Sequence, residues 1–165
     1  MVQIHIVYDS GPENNERKMA ELIAEGVREV SEAEAIIKHV DEAKIPEVIK
    51  GDGLIIGSPN RGDLMSWKLK KFMDDFVAYG YVLTNKVGGC FCCTNPGSEE
   101  EAIISMMITL LMYKMIVVGA EYRYGREGAF AYGEPKTEWE KGLCRGLGRK
   151  VAKVAKIVSS NKDKL

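Results

Sequence analysis

The apolar run at residues 54–56 constrains the fold of this chain more than any other stretch. It has no polar alternation and is bounded by Gly53 and Gly57, which is typical of a strand that is buried on both faces. Residues 58–65 are mostly polar and contain a proline and a glycine, so they form a loop, and helical periodicity begins at about residue 66. A strand that needs cover on both sides and leads through a loop into a helix predicts an α/β architecture.

Strand and helix patterns alternate five times along the chain. The predicted strands span residues 2–8, 35–40, 54–57, 86–93 and 116–119. Helical spacing follows at residues 19–27, 45–49, 66–79, 100–113 and 137–158, and Thr137 with Glu140 fits a capping box at the start of the last helix. This alternation predicts a single domain with a parallel sheet and helices on both faces, in which residues 120–135 form a long aromatic loop and residues 159–165 a frayed tail.

The composition excludes several classes of function. Lysine and arginine number 23 against 24 acidic residues, so no net field attracts nucleic acid. No stretch approaches the length of a membrane span and the N-terminus lacks the pattern of a signal peptide, so we expect a cytoplasmic protein. The chain has four cysteines and two histidines, and three of the cysteines share one predicted buried strand. We therefore expect core thiols in a reducing compartment and no metal site.

Three polar loops follow the first, third and fourth predicted strands, at residues 9–15, 58–63 and 94–99. In a sheet of order 2-1-3-4-5 these loops lie side by side at the crevice beside the first and third strands, where open α/β sheets bind ligands. The first loop precedes a helix start, which favours an anion, although Asp9 and Glu13 repel one. The other two loops carry proline, glycine and amide or hydroxyl groups, which suit the edge of a flat polar ring.

Four segments carry a resemblance to a known family. They are residues 7–10 with 19–20 and 25–26, residues 57–62, residues 86–89 leading to Thr94, and residues 115–119. The chain resembles the flavodoxin-like FMN-binding family, and within it the branch of the tryptophan-repressor-binding-protein type NAD(P)H:quinone reductases. The resemblance implies a doubly wound three-layer sandwich, a five-stranded parallel sheet in order 2-1-3-4-5, FMN as cofactor and, at family level, a homodimer.

The same resemblance implies cofactor-binding roles for the three loops. The first wraps the FMN phosphate, and the second and third border the isoalloxazine ring. The implied residues are Ser10, Gly11, Pro12, Glu13, Asn14 and Asn15; Ser58, Pro59, Asn60, Arg61 and Gly62; and Thr94, Asn95, Pro96, Gly97 and Ser98. The chain departs from the family pattern at three places: residues 13–16 are acidic and amide-bearing instead of hydroxyl-rich, the third loop is shorter, and Tyr113 stands where the reductases carry a histidine.

The loops pair no nucleophile with a matching base, so no catalytic residue is predicted and the chemistry has to come from a cofactor. We therefore expect an FMN-binding flavoprotein, either an electron-transfer protein or a small NAD(P)H-dependent oxidoreductase that acts on quinone. A net charge of −1 argues against an acidic electron carrier. The alternative is a non-catalytic module of the same fold whose first loop has lost FMN affinity and which acts through protein partners.

Overall fold

A parallel sheet flanked by helices forms the body of the computed structural model, which describes residues 1–80, 82–96, 98 and 100–161. β1 (Val2–Tyr8) lies between β2 (Ala33–His39) and β3 (Gly53–Pro59). The other edge of β3 pairs with β4 (Val87–Thr94). Every residue of β3 is buried, as its uninterrupted apolar pattern predicts.

Two short strands share the last position of the sheet. β5 (Ile116–Val117) pairs with the beginning of β4 and β8 (Ala129–Tyr132) with its end, both in parallel, because β3 occupies the other edge of β4. Between them the chain forms an antiparallel hairpin of β6 (Ala120–Tyr122) and β7 (Tyr124–Arg126). The predicted order 2-1-3-4-5 is confirmed, but the prediction of one long loop at residues 120–135 is wrong. The missed strands have three or four residues each, too few for periodicity to reveal.

Within the described residues, five helices cover the sheet. They are α1 (Asn15–Arg28), α2 (Ile45–Val48), α3 (Trp67–Asp75), α4 (Glu101–Met112) and α5 (Glu138–Ser159). α1 and α5 pack so closely that a Cβ added to Gly148 would lie 2.0 Å from the carbonyl oxygen of Ile23. α3 and α4 lie on the opposite face, because right-handed connections from β1 to β2 and from β3 to β4 run in opposite directions across the sheet.

The apolar face predicted for α3 is confirmed, since Leu69, Phe72, Met73 and Phe76 are all buried. Tyr113, which follows α4, belongs to the same core: its ring packs against Phe76 and its hydroxyl donates to the carbonyl of Met73. Tyr113 therefore has a structural role at the end of α4 away from the three loops.

All four cysteines are free thiols, and Cys90, Cys92 and Cys144 are buried, as expected for core residues. Cys90 and Cys93 have the C-x-x-C spacing, but both belong to β4. Residues three apart in a strand are separated by about 10 Å and point to opposite faces, so this spacing does not form a shared thiol site.

The last described element is the long helix α5. α5 continues to Ser159, and residues 162–165 of the expected tail lie outside the described residues. None of the described helices has the length and apolar character needed to cross a membrane.

Candidate functional site

The three polar loops meet at one cleft at the carboxyl end of β1, β3 and β4, and the cleft has a volume of about 510 Å³. The predicted residues that line it are Gly11, Pro12, Glu13, Asn14, Asn15, Pro59, Asn60, Arg61, Gly62, Thr94, Asn95 and Ser98. Four further residues line it as well: Glu16, Asp63, Cys93 and Gly133. The strand order thus brings together most of the residues that the sequence distributes over three loops.

Three of the described residues among those predicted stand apart from this lining. Ser10 faces a neighbouring groove, Pro96 lies outside the lining, and Gly97 lies outside the described residues. Ser58 is fully buried, and its hydroxyl oxygen accepts the N–H of Ser66 at 2.7 Å. Ser58 therefore connects the two ends of the second loop by a buried hydrogen bond and does not face the cleft.

The first loop leads the chain into the N-terminal turn of α1. Asn14 donates its N–H to the carbonyl of Gly11 at 3.0 Å and has a left-handed backbone with φ 56°. The side chain of Asn14 does not cap α1. In the first turn the carboxyl of Glu16 bonds the N–H of its own residue, and the other N–H groups are positioned to meet an anion. The side chain of Asn15 is held by Glu13, with 3.0 Å between Nδ2 and Oε2. The loop therefore offers an anion mainly backbone donors.

Glu16, in the first turn of α1, is a buried acid beside these donors. Only 2% of its surface is exposed, and its Oε2 accepts the N–H of Gly11 at 3.2 Å. Burial raises the pKa of the Glu16 carboxyl, and the nearby Asp9 adds to the rise; hydrogen bonds from backbone N–H groups and the positive charge of Arg61 act in the opposite direction without cancelling it. The first turn of α1 therefore holds a carboxyl whose pKa is raised above its ordinary value.

The side chain of Asn60 connects the second loop to the third by hydrogen bonds. Its Nδ2 donates to Thr94 Oγ1 at 3.2 Å and to the carbonyl of Ser98 at 2.9 Å, while its Oδ1 accepts the N–H of Asp63 at 2.8 Å. Gly62 and Asp63 both have positive φ, 60° and 64°, which a glycine adopts freely. The amide of Asn60 is thus engaged in fixing the two loops, and the tip at Gly62 projects from them.

Arg61 connects the cleft with a second groove of about 660 Å³, which it also lines. One guanidinium nitrogen lies 4.0 Å from the position that a Cβ on Gly11 would take, so its positive charge reaches the first loop. The wall of the second groove carries two exposed apolar side chains, Leu64 at 58% and Trp67 at 73%. The two cavities therefore share a cation and differ in character, the second being more apolar.

Sequence reasoning missed Glu16, Cys93 and Gly133 as lining residues. Glu16 precedes the buried Ala20 by four residues and the buried Ile23 by seven, so helical spacing alone places it on the inner face of α1. Gly133 follows β8, and without that strand nothing local points to the cleft.

Comparison with known proteins identifies relatives. The chain is 37% identical to a flavodoxin of Aquifex aeolicus, over all of this chain and 94% of that protein. It is 33% identical to an NAD(P)H dehydrogenase (quinone) of Geotalea uraniireducens, over 65% of this chain and 66% of that protein. The crystal structure of a flavodoxin, WrbA-like protein of Agrobacterium tumefaciens superposes with a TM-score of 0.81 at 22% identity, over 95% of this chain and 99% of that one. No family model matches the chain.

Proposed function

Since the chain belongs to the flavodoxin family, we propose that it is an FMN-binding redox protein that holds its cofactor in the cleft between the three loops. The observation that carries the proposal is the convergence of the loops after β1, β3 and β4 on one cavity. Its volume of about 510 Å³ is within the range of about 300–1,000 Å³ that is typical of cofactor sites.

The residues of the cleft fit the parts of FMN. The N–H groups at the start of α1 and the guanidinium of Arg61 are donors for a phosphate. The second and third loops offer backbone groups and the polar side chain of Asn95 to the edge of a flat ring. Glu16 is an acid beside these donors. Its raised pKa makes protonation easier, and a protonated carboxyl is itself a hydrogen-bond donor.

Bound FMN supplies the redox chemistry. Arg61 brings positive charge to the cleft, which favours the uptake of electrons and raises the reduction potential, whereas Asp63 on the same loop opposes it. Asn60 keeps the second and third loops together through Thr94 and Ser98. The protein thus contributes a fixed frame and a tuned electrostatic field, and it does not need a catalytic nucleophile.

The visible absorbance spectrum of the purified protein, before and after incubation with FMN and desalting, tests the proposal. We expect paired flavin bands that survive desalting. Arg61→Gln should retain less FMN, whereas Arg17→Gln, which changes an exposed arginine paired with Glu21 on α1, should retain as much as the wild type. A protein that stays colourless would overturn the proposal and favour a non-catalytic module that acts through protein partners.

A quinone reductase activity is a second candidate, favoured by the groove beside the cleft and by the relatives named NAD(P)H dehydrogenase (quinone). In such a reaction NAD(P)H and a proton reduce quinone to hydroquinone and NAD(P)⁺ is released. Oxidation of NADH or NADPH by the FMN-loaded protein, measured with and without quinone, distinguishes this enzyme from an electron-transfer protein. Trp67→Ala should slow the reductase without reducing FMN retention, because Trp67 lines the groove and not the cleft.

We also propose that the protein forms a homodimer and resides in the cytoplasm. The outer side of α4 exposes an apolar row, namely Ile104, Ile108, Leu111 and Met112, and a second copy of the chain would cover such a surface. The four free cysteines agree with a reducing compartment. Light scattering after size exclusion should give the mass of two chains, and Ile108→Lys should give the mass of one; Ile157→Lys, at an exposed isoleucine on α5, should leave the dimer intact.

A further inference from the structure

Glu16 occupies the part of the cleft that the proposed phosphate site requires. Its side chain lines the cleft together with residues 11–15, and its Oε2 already accepts the N–H of Gly11 at 3.2 Å. The side chain is 2% exposed, so water does not screen its charge. An anion that enters this part of the cleft therefore meets a buried carboxyl group.

Charged and titratable groups surround Glu16 from every element packed against it. They are Tyr8 and Asp9 at the end of β1, Glu13 on the first loop, Arg61 on the second loop, and Cys92 and Cys93 on β4. Asp9, 8% exposed, and Glu13 add negative charge, and burial raises the pKa of each of the two thiols above the ordinary value, which keeps them neutral. Of these groups only Arg61 brings positive charge. The surroundings therefore disfavour an ionised Glu16 next to a second anion.

We propose that Glu16 determines which flavin the first loop accepts, by requiring a proton on its carboxyl whenever a phosphate occupies the loop. This inference rests on the proposed FMN site. A protonated Glu16 turns from a competing anion into an O–H donor, so binding of a phosphate-bearing flavin takes up one proton. Riboflavin has the same ring and ribityl chain without the phosphate, so its binding takes up none.

The raised pKa of Glu16 supports this coupling, because it brings protonation closer to neutral pH. One linked proton weakens FMN affinity by up to about tenfold for each pH unit above the pKa of Glu16 in the free protein. Riboflavin affinity should not change with pH over the same range. At neutral pH the loop therefore discriminates against a fully ionised phosphate, which a hydroxyl-bearing residue at this position would not do.

Quenching of flavin fluorescence, titrated with FMN and with riboflavin at acidic and mildly alkaline pH, tests the inference on the wild-type protein and on Glu16→Gln. The variant keeps the size of the side chain and a donor but cannot ionise. We expect Glu16→Gln to bind FMN about tenfold more tightly at alkaline pH, with a flatter pH dependence, and to bind riboflavin as the wild type does. Glu21→Gln, at an exposed position of the same helix, should match the wild type for both flavins.

Three outcomes are distinguishable. Equal FMN-to-riboflavin affinity ratios and equal pH slopes in the wild type and Glu16→Gln would overturn the role of Glu16 and leave the FMN site standing. Failure of both flavins to bind either protein would overturn the proposed function and this inference with it. Calorimetry on the wild type alone, in buffers of different ionisation enthalpy, should show proton uptake with FMN at alkaline pH and none with riboflavin; zero uptake with FMN would also overturn the inference.

Discussion

The helix starts of α1 and α5 each bury a glutamate in the first turn, yet the pKa values of the two carboxyls shift in opposite directions. Glu16 in α1 is 2% exposed and Glu140 in α5 is 4% exposed. The described donors to Glu16 are backbone N–H groups within its own loop, and its pKa is raised. Glu140 has a lowered pKa. Burial raises the pKa of both carboxyls, and only at Glu140 do the hydrogen-bond donors outweigh it.

Glu140 is enclosed by donors from two elements. Its Oε1 accepts the N–H of Tyr132 at 3.0 Å, and its Oε2 accepts the N–H groups of Lys136 and Thr137 and the hydroxyl of Thr137 at 2.8–3.1 Å. Thr137 Oγ1 in turn accepts the N–H of Glu140 at 3.1 Å, which completes the capping box. Burial raises the pKa of this carboxyl, but the hydrogen bonds outweigh burial and lower it.

The comparison shows how one residue type serves structure at one helix and recognition at another. At α5 the carboxylate satisfies the N–H groups of the helix start itself, so the turn is closed to ligands. At α1 the side chain of Asn14 makes no cap, and the carboxyl of Glu16 bonds only part of the N–H groups at the helix start, so donors remain open at the cleft. A buried carboxylate that accepts several hydrogen bonds, like Glu140, stabilises the fold. A buried carboxyl with fewer donors, like Glu16, can change its protonation when a ligand binds.

The largest expected effect is the loss of stability when the side chain of Glu140 is removed. Glu140→Ala should lower the free energy of unfolding by about 2 kcal/mol, because it leaves the N–H groups of Lys136 and Thr137 without this acceptor in a partly buried site. Urea unfolding followed by circular dichroism measures the loss. Glu138→Ala, at an exposed glutamate in the same turn, should change stability by less than about 0.5 kcal/mol. Equal losses in the two variants would remove the basis of the comparison.

The pH dependence of stability should have opposite signs for the two carboxyls. The folded pKa of Glu16 is above its ordinary value of 4.5, so its contribution is fully present below that pH and is lost as the pH rises through the folded pKa. The folded pKa of Glu140 is below that value, so its contribution is present above pH 4.5 and is lost as the pH falls through the folded pKa.

Urea unfolding of Glu16→Gln and Glu140→Gln across this pH range checks the signs. Relative to the wild type, Glu16→Gln should gain stability as the pH rises, and Glu140→Gln should lose it. If the stability difference from the wild type changed with pH in the same direction for both variants, the hydrogen-bond donors would not explain the two opposite pKa shifts.

The smallest expected effect concerns the residues that precede the two helices. Thr137→Ala should lower the free energy of unfolding by about 1 kcal/mol, because it removes a hydroxyl that caps α5. Asn14→Gly should cost no more than a few tenths of a kcal/mol, because Asn14 makes no side-chain cap at α1 and its φ of 56° suits glycine. Thermal unfolding of both variants measures the contrast, and a larger loss for Asn14→Gly would reveal a cap at α1.

The same contrast explains what could be predicted from sequence. Thr137 and Glu140 are three residues apart, so the local sequence alone predicts the capping box of α5, and the structure confirms it. The sheet order is confirmed as well, because alternating strands and helices leave few ways to connect a parallel sheet. The raised pKa of Glu16 depends on its burial in the folded chain, and also on Asp9 at the end of β1 and Arg61 on the second loop, so no local pattern reveals it. β8 likewise depends on β4, whose free edge supplies its hydrogen bonds.

The interruption between β5 and β8 makes the molecule tolerant of added sequence at one point. The hairpin of β6 and β7 leads back to the sheet at Gly128. This residue packs closely against β4, since a Cβ on Gly128 would lie 2.4 Å from the carbonyl oxygen of Cys90. Its far end, at Arg123 between the two hairpin strands, pairs with no strand of the main sheet. A fusion partner or reporter grafted at Arg123 would therefore extend a side branch of the chain and leave the frame around the cleft in register.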